Sequence, residues 1–473
     1  MDTPVTIPEF ATAASMTGAF RLREASPVEA LEAALRRSRH VDARLNAFLC
    51  FDAEQALAAA KASEARWLRG APLSELDGVP LVLKDTDHFR GQKRRSGSLS
   101  NADVPVSAFD SPHVEGLRAA GVVVFARTAM ADLGWKALGD SPLGGVTRNP
   151  WNPALTPGGS SAGSAVAVAT GCSPVATGTD GGGSIRIPAA FTGVFGIKPT
   201  LGRVPSLRDS PFADMVVQGV LSASVEDAFV TLELMSRPNR RDPFAAPAAH
   251  ATFRGGPGLS VEGLRVAVSP GFGVLDVGPE REEAVEAVAG LLEARGAVVS
   301  RNDPPVCLGV DELTVLWASR MLAATVGLTR GQIEGLDPDL AALVEAGRAT
   351  PAAAVQAAEN RRRLQMRQML DFMGGCDILL SAVTPVAPFA AGAGVNTPDA
   401  AAYPTWFHWA RLGWLLNVVG LPAASYPWGL DRGGLPVGIQ VAANPFREDL
   451  VRCVSLELER HAPVRLPDNG LWQ

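Results

Sequence analysis

The chain has 473 residues, 47% hydrophobic and 19% charged, which is enough apolar material for one large domain or two ordinary ones. Its net charge of -6 is scattered without a basic stripe, which excludes the electrostatic footprint of a nucleic-acid binder. Cys50, Cys172, Cys307, Cys376 and Cys453 are odd in number and form no C-x-x-C pair, so neither a disulfide framework nor a zinc site is expected.

In chain order, "MDTPVTIPEFATAASM" opens with an acid and lacks a basic n-region and a continuous apolar h-region. The expectation is a cytoplasmic protein without a cleaved signal. "SPVEALEAALRRS" at 26–38 reads as a helix, with Ser26 as N-cap, Pro27 at the first helical position and Glu29 closing a capping box. "DAEQALAAAKASEARWL" continues as a second helix. "GVPLVLKD" at 78–85 and "AAGVVVFAR" at 119–127 read as buried strands flanking the helical "SPHVEGLRA", a βαβ rhythm. "SAGSAVAVATG" at 161–171 and "SVEDAFVTLELM" at 224–235 are further helices. The Pro, Arg and Gly-rich segment 236–260 is the best linker candidate, without necessarily dividing domains. Beyond it, "GLRVAVSP", "EREEAVEAVAGLLEARG" and "AVVSRND" repeat the strand, helix, strand order.

Residues 340–370 read as helix whose charges make a solvated face, and "CDILLSAVTP" and "LPVGIQVAA" as later strands. "LGWLLNVVGLPAA" at 412–424 falls short of the roughly 18 apolar residues of a membrane helix, so it reads as core and no membrane partner is expected. This alternation predicts an α/β fold, a large mixed sheet with helices on both faces.

Two stretches stand out, "PGGSSAGS" at 157–164 and "GTDGGGSIRIP" at 178–188. Consecutive glycines let several N–H groups point into one cavity, so "DGGGS" suits an oxyanion hole with Ser184 as nucleophile, or else a glycine turn. "GSSAG" matches the G-x-S-x-G nucleophile elbow around Ser161, but the Pro and Asn-rich run before it is no apolar strand. Neither stretch is a P-loop. None of the six histidines lies in a recognisable motif, and the remaining base is Lys84, at the end of an apolar strand where burial favours the neutral amine. Asp180 and Arg186 read as a buried pair holding the loop.

Taken together, "GVPLVLKD", "PGGSSAGS", "TGTDGGGSIRIPAAFTGVFGIKPT" and "SVEDA" resemble the amidase signature family of serine amidohydrolases, most specifically over 78–200 and more loosely to "GLPVGIQV". The resemblance implies a single domain over 1–473 and a Ser-cisSer-Lys triad without metal or cofactor. In that triad Ser184 attacks, Ser160 on a cis peptide relays the proton, and Lys84 is the base. The N–H groups around Gly181, Gly182, Gly183 and Ser184 would form the oxyanion hole. Three departures touch no reacting atom: Ala162 in S-S-A-G, Gly181 where a larger residue is common, and Gly219-Val220 in place of G-P.

The implied partner is a small-molecule amide, with a homodimer left open. Met130 and Trp135 fall in a segment resembling one that lines the family's site. "YPTWFHWARLGW" at 403–414 reads either as the wall of an aryl pocket or as core packing. One branch of the family, the glutamine-hydrolysing component of the tRNA-dependent amidotransferase, carries an acid where Ala410 stands here. That branch and a non-catalytic binding member of the fold are the competing readings.

Overall fold

The structure, a computed structural model, describes residues 12–246, 259–394, 399 and 401–467. Residues 1–11, on which the reading of the N-terminus mostly rests, and 247–258 of the expected linker lie outside the described residues. Thirteen strands are present among the described residues: β1 (Phe48–Phe51), β2 (Pro80–Lys84), β3 (Val123–Thr128), β4 (Asp140–Ser141), β5 (Gly145–Val146), β6 (Val175–Asp180), β7 (Phe195–Lys198), β8 (Val217–Ser222), β9 (Arg265–Val268), β10 (Val298–Arg301), β11 (Ile378–Ala382), β12 (Ala423–Leu430) and β13 (Pro436–Ala443). Eleven of them form one mixed sheet in the order β1-β3-β2-β6-β8-β7-β12-β13-β11-β9-β10. Strands from before and after segment 236–260 therefore share a sheet. The described part of that segment is itself tied down, Ala246 N–H donating to Gly202 O at 2.8 Å.

Every residue of β2, β3, β6, β7, β11 and β13 is buried, as expected of strands covered on both faces. Side chains alternate across the sheet. Leu81 and Leu83 enter one apolar cluster. Val82 enters the other, with Ala165 and Val166 of the helix Ala162–Ala169 and residues of the helix Pro27–Leu45. Lys84 shares the parity of Val82. That places its side chain on the face covered by the helix Ala162–Ala169.

The helix Pro27–Leu45 begins as its sequence prescribes, Ser26 and Glu29 exchanging backbone-to-side-chain bonds of 3.2 and 2.8 Å. The expected helix at 340–370 is two, Pro338–Ala349 and Ala352–Met373, because Pro351 cannot continue the ladder between them. Nor is its charge wholly solvated, since buried Arg362 pairs with Asp214 at 2.5 Å. Among the described residues no helix is long and apolar enough to cross a membrane.

Candidate active site

β2 and β6 are parallel neighbours in register at Leu81↔Val175 and Val82↔Ala176, so Lys84 and the loop after Asp180 emerge at the same edge of the sheet. Carboxyl ends of parallel strands are where open α/β sheets place ligands. Lys84 is fully buried. Its Nζ lies 2.6 Å from Thr179 Oγ1, 2.8 Å from Ser160 Oγ and 2.9 Å from Ser161 Oγ. Burial pulls its pKa from 10.5 to about 7 against the opposing attraction of Asp87 and Asp180. Near neutrality this amine is thus part proton carrier and part base.

The serine pair sits where the chain turns into the helix Ala162–Ala169. The Gly159–Ser160 peptide is cis. A Cβ at Gly159 would run into the Leu138 carbonyl, so only glycine fits there. Ser161 is the N-cap residue and wholly buried. Its hydroxyl donates to Thr179 O at 3.2 Å and meets Lys84, while Ser161 N–H donates to Ser184 O at 3.1 Å. It has no strand before it and no access to a ligand, so the elbow reading fails structurally as well as in sequence.

The stretch after β6 is held by Asp180. Its carboxylate accepts from Arg186 Nη2 at 2.9 Å and Nε at 3.0 Å, and from the N–H groups of Gly183 at 2.7 Å and Ile185 at 3.1 Å. Burial alone would raise the Asp180 pKa, but the Arg186 charge and hydrogen bonds overcome it and hold the carboxyl well below the usual range. Arg186 in turn donates to Gln440 Oε1 at 2.7 Å and Gly413 O at 3.0 Å, and Asn417 Nδ2 reaches Asp180 O at 2.7 Å. This fully satisfied network corrects one expectation. The Gly183 N–H is committed to Asp180, and with φ +108 the residue serves the turn rather than the cavity. The N–H groups of Gly181, Gly182 and Ser184 donate to no described residue, and Ser184 Oγ is likewise uncommitted.

Ser160, Thr179, Gly181 and Ser184 line one side of a cavity of about 400 Å³. The opposite walls come from segments to which the sequence motifs gave no weight: Phe212, Val216, Trp317 and Met321 on an apolar side, Arg94, Arg208 and Asp209 on a polar one. Met130 and Trp135 are not among the lining residues, although Leu133 and Gly134 between them are. Met130 and Trp135 are buried behind that wall, the Trp135 carbonyl accepting from Trp317 Nε1 at 3.0 Å.

The aromatic run at 403–414 is also a second row. Trp406 and Phe407 pack edge-on against Trp317 at ring-centroid distances of 5.2 and 5.8 Å. Trp409 and Trp414 are buried, so the core-packing alternative holds for this segment. No histidine is among the lining residues, and no acidic, histidine and cysteine group suited to a metal ion is found among the described residues.

A family model described as Amidase matches residues 29–451 of the chain. The indoleacetamide hydrolase of Bradyrhizobium diazoefficiens is 32% identical, the match covering 98% of this chain and 88% of that protein. The GatA-type component of glutamyl-tRNA(Gln) amidotransferase from Symbiobacterium thermophilum is 34% identical, with 92% and 94% covered. The crystal structure of a bacterial aryl acylamidase of the amidase signature family superposes with a TM-score of 0.88 at 26% identity, with 99% and 98% covered.

Proposed function

The chain belongs to the amidase signature family of serine amidohydrolases, and we propose that it hydrolyses a small amide whose acyl part is apolar or aryl, through an acyl-enzyme on Ser184. In this reading Ser184 Oγ attacks the amide carbonyl and gives its proton to Ser160 Oγ, and the Ser160 proton passes to the lone pair of neutral Lys84. The carbonyl electron pair moves onto oxygen, where the uncommitted N–H groups of Gly181, Gly182 and Ser184 are available to receive it. As the C–N bond breaks, the proton returns from Lys84 through Ser160 to the departing nitrogen. Water then repeats the sequence on the ester, releasing the carboxylate and restoring Ser184.

The observation that carries the proposal is the 2.8 Å contact between a fully buried Lys84 amine and Ser160 Oγ beside the cavity that Ser184 opens. Asp180 and Arg186 position the loop without touching the reacting atoms. The apolar wall of Phe212, Val216, Trp317 and Met321 supports an apolar or aryl acyl group over glutamine, whose side of the family is nonetheless 34% identical. Incubation with a fluorophosphonate and mass spectrometry of the adduct tests the nucleophile: labelling at Ser184 is expected. Labelling at Ser161, or at no serine, removes the assignment. A panel of aryl anilides, indole and alkyl amides and glutamine then ranks the acyl preference, and glutamine as the sole substrate would overturn the apolar reading.

A further inference from the structure

Three charged side chains line the cavity, and they are not equivalent. Arg208 is committed: its Nε lies 3.1 and 3.0 Å from the two Asp242 oxygens and its Nη1 donates to Ala213 O at 2.6 Å. Arg94 is differently held. One nitrogen, Nη1, meets His88 Nε2 at 2.9 Å and Asp209 Oδ2 at 3.2 Å, while Nε and Nη2 donate to no described residue. Arginine can only donate, so His88 Nε2 is the acceptor and its proton sits on Nδ1, 2.9 Å from Ser107 Oγ, a tautomer assigned from its partners. His88 therefore braces the guanidinium from the protein side.

The second partner is of another kind. Asp209 is 51% exposed and Arg94 32% exposed, so their ion pair stands in solvent at the cavity wall and is weak. An anion of better geometry can replace Asp209 while His88 keeps Arg94 in place, and the free Nε and Nη2 offer a second donor for bidentate contact.

We propose that Arg94 is a specificity residue that receives an anionic oxygen group, a carboxylate in the first instance, at the end of the substrate remote from the scissile amide, with Asp209 as its exchangeable partner in the free enzyme. Ser184 and Arg94 line the same cavity, and the wall between them is apolar at Phe212, Val216 and Trp317. The substrate class is then an amide separated by an apolar spacer from an acidic group. Which amide is turned over rests on the reading of Ser184 as nucleophile; binding at Arg94 does not.

The test is calorimetry on the Ser184→Ala protein, which reads binding without turnover. Succinamate, glutaramate and adipamate are compared with butanamide, pentanamide and hexanamide, pairs of equal carbon number. At least one carboxylated member is expected to bind about tenfold or more tightly than its uncharged counterpart. Arg94→Gln brings that ratio to about one, Arg94→Lys restores part of it, and Asp209→Asn raises it by removing the competitor while leaving the cation in place. Added salt weakens the carboxylated ligand selectively. A ratio that Arg94→Gln leaves unchanged overturns the proposal, as does the absence of any carboxylated amide that binds better than its partner. Labelling of Ser184 in the unmodified protein is read separately, so a failed nucleophile leaves the binding ratios standing.

Discussion

Replacing Lys84 by methionine separates what the residue does for stability from what it does for chemistry. The folded amine has a pKa of about 7, lowered from 10.5 chiefly by burial. In the unfolded chain the group returns to its ordinary value, so the folded state binds fewer protons between those limits. The sign follows. Below pH 7 the full cost of burying the lysine is present, it shrinks as pH rises from 7 to 10.5, and above 10.5 it is gone. A shift of this size corresponds to ~5 kcal/mol, from about 1.4 kcal/mol per pH unit. Against it stand the bonds to Ser160, Ser161 and Thr179 that methionine gives up, together worth about 2 to 3 kcal/mol.

Lys84→Met is therefore expected to be more stable than the parent by about 2 kcal/mol at neutral pH and below. The advantage is expected to vanish toward pH 10, as read from urea midpoints across that range. Activity moves the other way. kcat/KM of the parent on a chromogenic anilide rises about tenfold per pH unit up to roughly 7 and then levels, because only the neutral amine accepts the Ser160 proton. The variant loses about 100-fold to 10,000-fold in rate. A flat profile between pH 5.5 and 8, or a variant that keeps more than about a tenth of the rate, refutes the role of Lys84 as base.

Two further outcomes are expected. Asp180→Asn leaves the Arg186 charge buried and unpaired and costs about 3 to 5 kcal/mol in a denaturant titration; because Asp180 also raises the Lys84 pKa, the acid limb of the surviving activity shifts to lower pH. A loss under about 1 kcal/mol makes the pair dispensable. Gly181→Ala puts a Cβ 2.6 Å from Val216 Cγ2 and 3.8 Å from Trp317, narrowing the cavity without straining the backbone. The ratio of kcat/KM for an aryl amide over acetamide is expected to fall by about tenfold, and an unchanged ratio removes Gly181 from the acyl pocket.

What the sequence discloses and what it hides follow from how the site is assembled. Ser160, Ser184, Asp180 and Arg186 were legible because they lie within two short runs whose glycines and serines have few other reasons to recur, and Lys84 because a lysine ending an apolar strand is an anomaly. The strand and helix alternation likewise followed from period and caps, as at Ser26 and Glu29. The Gly183 N–H was misassigned because the motif shows which amides exist, not which of them Asp180 has already taken. Trp317, Phe212 and Arg94 were invisible for a different reason: each stands in an unremarkable local context and acquires meaning only where segments 94–101, 206–218 and 317–324 converge on the sheet edge. The reacting atoms are thus specified by nearest neighbours in the chain, and the ligand's shape by residues remote in sequence. Substitutions on the remote walls can retune the acyl group or the anionic end while Lys84, Ser160 and Ser184 stay fixed, which accommodates an indoleacetamide hydrolase and a component of glutamyl-tRNA(Gln) amidotransferase with similar identity to one chain.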